Sequence, residues 1–153
     1  MGHKPNSLWP AFSSVGKQTM AGRERQILIV DNDADYVASS KPFLEAKLGR
    51  VLWAKSEIQA ERILAKEKID LILLEVMLAE PDSGLRWCRK LKAAGRFDTV
   101  PIFMLTCVDE RFGLDLKNKL HEVGYCPAQG FLDKGTQPAE MATHLEKFLR
   151  SGR

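Results

Sequence analysis

The chain has 153 residues, 44% apolar and 28% charged, a balance that suits one globular domain and excludes a disordered or collagen-like chain. No apolar run approaches the roughly 18 residues of a membrane span, and the opening MGHKPNSLWPAFSSVGK lacks a signal-peptide core, so a cytoplasmic protein without membrane contact is expected. The net charge of +3 sits in residues 1–25, where Lys4, Lys17, Arg23 and Arg25 face Glu24 alone; the neutral remainder argues against a nucleic-acid-binding face.

Residues 1–24, with their Ser, Gly, Pro and excess charge, read as a flexible leader, residues 25–150 as the folded body and residues 151–153 as a tail. The body alternates short apolar runs with helical patterns. QILIV (26–30) is followed by a helix near 34–48, in which Pro42 removes a backbone donor and predicts a kink. Gly49 sits where a helix C-cap belongs, before RVLWA (50–54). Ser56 and Gln59 have capping-box spacing at the start of a helix near 56–67. DLILL (70–74) precedes a helix near 84–94, and VPIFML (100–105) a helix near 109–122 that would end at Gly124. GFLD (130–133) leads to a last helix near 137–150 with Pro138 in its first turn.

The apolar runs are short, rich in branched residues and mostly unalternating, as strands covered on both faces are. With right-handed crossovers, five such units predict an α/β fold: a doubly wound five-stranded parallel sheet between two helical layers. The three cysteines, Cys88, Cys107 and Cys126, are odd in number and have no C-x-x-C spacing. Reduced thiols are therefore expected, rather than disulfides or a zinc site with His121.

In sheets of this kind the site lies at the carboxyl ends of the strands. There the sequence places Asp31, Asn32 and Asp33 after the first run, Glu75 after the third, Thr106 after the fourth and Lys134 after the fifth. The second run ends on Ala54 and Lys55, which suggest no chemistry. Thr106 or Lys134 alone would read as a turn residue or a solvated lysine. In a flavodoxin-like strand order 2-1-3-4-5, however, two strand-end acids, a hydroxyl and an ammonium converge on one crevice. Acids gather a hard cation through oxygen, while the ammonium and hydroxyl bind phosphoryl oxygens.

Over roughly residues 26–150 the chain resembles the receiver domain of two-component response regulators, on ILIVDND, DLILLEVML, VPIFMLT and GFLDKG taken in order. The resemblance implies an acidic pocket at Asp31, Asn32 and Asp33, a phospho-acceptor position at Glu75, and switch or phosphate-sensing positions at Thr106, Phe131 and Lys134. It also implies a metal site built on Asp31, Glu75 and the backbone carbonyl of Met77. Two residues depart from the family pattern: the acceptor is Glu75 rather than Asp, and the second acid of the pair, a direct magnesium ligand in the family, is Asn32. An added methylene moves the carboxylate by about a C–C bond length, and a misplacement near 1 Å can cost on the order of 100-fold where attack must be in line. Magnesium also leans on carboxylates, so an amide weakens its site.

The expectation is therefore a receiver-like signalling module, not an enzyme, that requires no cofactor, binds Mg2+ weakly at most, and has impaired or lost phosphoryl acceptance. No DNA-binding or catalytic output pattern follows the last helix, so output is expected through protein contacts. The implied partners are a histidine kinase, a downstream signalling protein or a second copy in a homodimer. The interval from Thr106 to Lys134 is longer than the resemblance implies and covers a surface that receivers use for partners, so partner identity does not carry over. Three alternatives differ in class. One is an ordinary phospho-accepting receiver in a histidine-kinase phosphorelay. Another is a haloacid dehalogenase-like phosphatase, suggested by the D-x-D of Asp31 and Asp33 but lacking the later acidic motif. A flavodoxin is disfavoured because the first strand-to-helix loop has no Ser, Thr and Gly-rich phosphate cradle.

Overall fold

The structure is a computed structural model that describes residues 19–20, 22–95, 97–107 and 128–151. Strands β1 (Thr19–Met20) and β2 (Arg23–Glu24) form a short antiparallel ribbon. The main sheet comprises β3 (Gln26–Val30), β4 (Arg50–Ala54), β5 (Leu71–Glu75), β6 (Ile102–Thr106) and β7 (Gly130–Asp133). All its pairings are parallel, in the order β4-β3-β5-β6-β7. Counted within this sheet alone, that is the expected 2-1-3-4-5.

Helices α1 (Ala34–Lys47), α2 (Glu57–Lys66), α3 (Ser83–Ala93) and α4 (Pro138–Arg150) lie on the two faces. Alternation along each strand sorts the core. Leu28, Val30, Ile72, Leu74, Ile102 and Met104 pack with α2 and α3 through Ala60, Leu64, Leu85 and Trp87. Ile27, Ile29, Leu71, Leu73, Phe103 and Leu105 pack with α1 and α4 through Val37, Leu44, Met141 and Leu145. Both faces of β3 and β5 are thus apolar, which is why their sequences do not alternate.

Local signals account for the boundaries. Asp33 caps α1, its side chain accepting from the Tyr36 N–H, and Ser56 caps α2 by accepting from the Gln59 N–H. The Gln59 side chain returns to the Lys55 N–H at 2.8 Å, one residue before the position a capping box predicts. Helix α1 continues through Pro42 as far as Lys47, so the proline removes one helical donor without ending the helix. Gly49 has φ +138°, and a Cβ there would overlap the Arg25 carbonyl, which accepts the Arg50 N–H at 2.9 Å. The expected helix at 109–122 and its cap at Gly124 lie outside the described residues, as do Cys126 and His121; Cys88 is a buried free thiol and Cys107 an exposed one.

At the amino ends of the strands the ribbon meets the sheet through a bidentate ion pair. Arg23 Nη1 and Nη2 donate to the two Asp70 oxygens at 2.8 and 2.7 Å, and the Gln26 N–H donates to Asp70 Oδ2 at 2.8 Å. Asp70→Ala should therefore destabilise by about 1.5–3 kcal/mol, since a nearly buried carboxylate loses three donors. Arg23→Ala should cost under about 1 kcal/mol, because the guanidinium is about one-third exposed and screened by solvent. Urea denaturation of both variants measures the order; an equal loss would contradict it.

Candidate functional site

Asp31 follows β3 directly and is held by its backbone on both sides. Its N–H donates to the Ala54 carbonyl at 3.0 Å, and its own carbonyl accepts from Trp53 Nε1 at 2.8 Å. Its side chain is fully buried, with Oδ1 accepting the Asp33 N–H at 2.9 Å. Glu75 is the last residue of β5 and is also buried; its Oε2 accepts the Met77 N–H at 3.0 Å.

The loop after Glu75 is laced down by two residues at the start of α3. Ser83 Oγ accepts from the N–H groups of Leu78, Ala79 and Glu80 at 3.0–3.2 Å. Gly84 donates to the Val76 carbonyl at 2.9 Å, and a Cβ on Gly84 would overlap the Glu75 carbonyl oxygen. Only glycine lets the helix backbone come so close to the end of the strand.

Lys134 follows β7, with its N–H on the Thr106 carbonyl at 2.9 Å. Its ammonium reaches back across the sheet to Glu75 Oε1 at 2.7 Å and Asp31 Oδ2 at 2.8 Å, with Asp33 Oδ2 farther off at 3.9 Å. The contact to Glu75 is a hydrogen bond, whereas that to Asp31 Oδ2 is an ion pair outside hydrogen-bond geometry. The Tyr36 ring covers the ammonium, its centre 4.5 Å from Nζ. The Tyr36 hydroxyl anchors on Met141 Sδ at 3.5 Å.

One ammonium thus serves two buried carboxylates, which leaves an excess negative charge. Burial pushes the Glu75 carboxyl above its usual range. Lys134 and the Met77 N–H oppose that shift, and the charge on Asp31 adds to it. Burial lowers the Lys134 ammonium, but its contacts to Asp31 and Glu75 outweigh that and hold it above the ordinary lysine range.

Of the residues singled out by sequence, the structure brings together Asp31, Glu75 and Lys134, with Asp33 at the margin. Asp33, the second acid of the D-x-D, is exposed and committed to capping α1. Asn32 is also exposed, and its Nδ2 donates to the Leu78 carbonyl at 2.9 Å. Thr106 Oγ1 donates to its neighbour Cys107's carbonyl at 3.4 Å, not to Glu75. Phe131 is partly buried and packs on the face that carries α2 and α3. Tyr36 was not among the candidates, although its place three residues after the capping Asp33 was a usable signal.

The model of the response regulator receiver domain family matches residues 27–146. The chain belongs to that family. Curated relatives of this receiver domain include the phosphate regulon transcriptional regulatory protein PhoB of Pseudomonas aeruginosa, 34% identical over 82% of the chain and 52% of its own length. Another is the alkaline phosphatase synthesis transcriptional regulatory protein PhoP of Bacillus subtilis, 31% identical over 82% of the chain and 49% of its own length. The chain spans about half the length of these relatives. Among solved structures, a two-component response regulator from Clostridium difficile matches with a TM-score of 0.66 at 27% identity, over 82% of this chain and 96% of that one. The BeF3-activated N-terminal receiver domain of RstA from Klebsiella pneumoniae matches with a TM-score of 0.62 at 28% identity, over 82% and 99%.

Receiver domains of this family typically bind Mg2+, and the donor set of this receiver fits that ion poorly. Asp31 and Glu75 already share the Lys134 ammonium, and the Asn32 amide is spent on Leu78. Among the described residues, no group of three or more His, Cys, Asp or Glu is arranged to hold a metal.

The shared ammonium makes stability depend on pH in a defined sense. A carboxyl whose folded pKa is raised contributes stability below its unfolded value, and that stability is lost as pH rises through the folded pKa. The parent should therefore lose stability relative to Glu75→Gln as pH rises from about 4 toward neutrality, through the window above the ordinary glutamate value of 4.5. Urea denaturation of both proteins at several pH values gives the difference, and a parent that gains on the variant over that window contradicts the reading. Lys134→Met leaves two buried carboxylates without their cation and should cost about 3–5 kcal/mol at neutral pH.

Proposed function

We propose that the chain is a receiver module that works through protein contacts, with phosphoryl acceptance at Glu75 impaired or lost. The observation that carries this reading is the 2.7 Å contact between Lys134 Nζ and Glu75 Oε1, made with no phosphoryl group present. At the acceptor position, the longer glutamate side chain already meets the ammonium that would otherwise bind a phosphoryl oxygen. The charge at that position is thereby partly supplied by the sequence itself, about one unit against the phosphoryl group's nearly two. Asn32, turned to Leu78 in place of an acid facing a cation, supports the same conclusion for metal-dependent transfer.

The resident pair engages only the lysine arm of the switch. Thr106 is turned to Cys107, so the hydroxyl arm is not engaged by Glu75. A receiver held by one arm leans toward the signalling form without being locked in it, because a single charged hydrogen bond contributes about 1.5–3 kcal/mol. The partners in this reading are a histidine kinase of the same two-component class or a downstream protein that reads the α/β surface. A second reading, ordinary phosphotransfer from a histidine kinase, draws support from Asp31, Thr106 and Lys134 standing at the strand ends where receivers keep them.

Incubation with acetyl phosphate and Mg2+ followed by intact-mass measurement separates the two. No stoichiometric adduct is expected on the parent, and partial labelling is expected on the double variant Asn32→Asp with Glu75→Asp. A base-labile adduct on the parent would favour phosphotransfer. Failure of the double variant to label would mean that more than these two residues closes the pocket.

A further inference from the structure

The end of the sheet opposite Lys134 holds a cavity of about 370 Å³ that the proposed function leaves unused. Its volume falls in the range of roughly 300–1,000 Å³ typical of small-molecule sites. Ile69 and Val100, from the segments that enter β5 and β6, form apolar wall together with Phe148 and Leu149 in the last turn of α4. The polar part of the wall is unusual in composition. Arg23, Arg25 and Lys68 stand against one carboxylate, Asp70.

That carboxylate is largely committed. Both Asp70 oxygens accept from Arg23, and one also accepts the Gln26 N–H. Arg25 is only 4% exposed, and its backbone is fixed by the Arg50 N–H and by the close approach of Gly49. Desolvation lowers its pKa, with Asp70 and Glu146 opposing. A guanidinium buried at the wall of a mostly apolar cavity is placed to recognise a planar anion by paired N–H donors. Lys68, exposed at the rim, adds charge that steers an anion inward.

We propose that this cavity binds a small organic monoanion, an aromatic or branched aliphatic carboxylate, with its apolar body against Ile69, Val100 and Phe148 and its carboxylate on Arg25. Two other occupants fit less well. A phosphate dianion would bring its second charge close to Asp70, with hydrocarbon walls unable to replace its hydration. The chain's own residues 1–18 contain Lys4 and Lys17 and no acid, so they match the cavity in sign instead of complementing it. The proposal is independent of Glu75 and of any phosphoryl chemistry.

Titration of the isotope-labelled full chain with phenylacetate and with isovalerate, followed by amide chemical shifts, tests it. Saturable shifts at Ile69, Val100 and Leu149 are expected, with a Kd of about 1 mM or tighter. The uncharged 2-phenylethanol and inorganic phosphate should each bind at least about tenfold more weakly, a difference of about 1.4 kcal/mol. Lys68→Glu, at an exposed position, should weaken phenylacetate binding while leaving the rest of the spectrum in place. Arg25→Lys, which keeps the charge but loses the planar fork, should weaken it further. Absence of saturation at ten times the expected Kd overturns the proposal. Equal binding of 2-phenylethanol would reduce the site to an apolar hole, and equal binding of phosphate to a general cationic patch; either result also overturns it.

Discussion

The arrangement turns on one ammonium held between two buried carboxylates. Taking three charges out of water is costly, and the Coulombic return is adequate only if the geometry is fixed by something stronger than the charges themselves. Here the backbone fixes it. Asp31, Glu75 and Lys134 each stand immediately at the end of a parallel strand, and the strand order places those three ends around one crevice. The strands in turn are positioned by two apolar layers that owe nothing to the charges. The core therefore assembles the site, and the site contributes specificity of arrangement more than stability.

Much of this was legible in the sequence because burial leaves a periodic trace. The unbroken apolar runs gave the five sheet strands to within two residues, and the capping residues Ser56 and Pro138 marked helix starts that the structure retains. Which strand-end residues would share a crevice followed from the strand order alone. What each side chain does there did not follow, since Asn32 and Thr106 have several acceptors within reach and composition does not record the choice. Tyr36 was hidden for a related reason: an aromatic in the first turn of a helix reads as core, and only the fold reveals that it lies over an ammonium. The Arg23–Asp70 clamp was equally invisible, because it joins residues 47 positions apart and neither belongs to a motif.

The two ends of the sheet handle charge in opposite ways. At the carboxyl ends, acids outnumber the ammonium and are compressed around it in a closed cluster. At the amino ends, bases outnumber the acid and border open volume. Both ends depend on β3, which begins just after Arg25 and ends just before Asp31. A five-residue strand buried on both faces is a stiff spacer, so the two charged clusters keep a fixed separation while differing in sign and in access to solvent.

Gly84 gives the pocket a mechanical coupling. Because it lacks a side chain, the backbone at the start of α3 rests directly on the last carbonyl of β5, with no intervening atoms to slide or deform. Helix α3 and the Glu75 main chain then behave as meshed teeth, in which neither can shift without displacing the other. Arg86, Arg89 and Lys90 project from that helix into solvent. A protein that grips those basic side chains holds a handle geared directly to the carboxylate at the centre of the site.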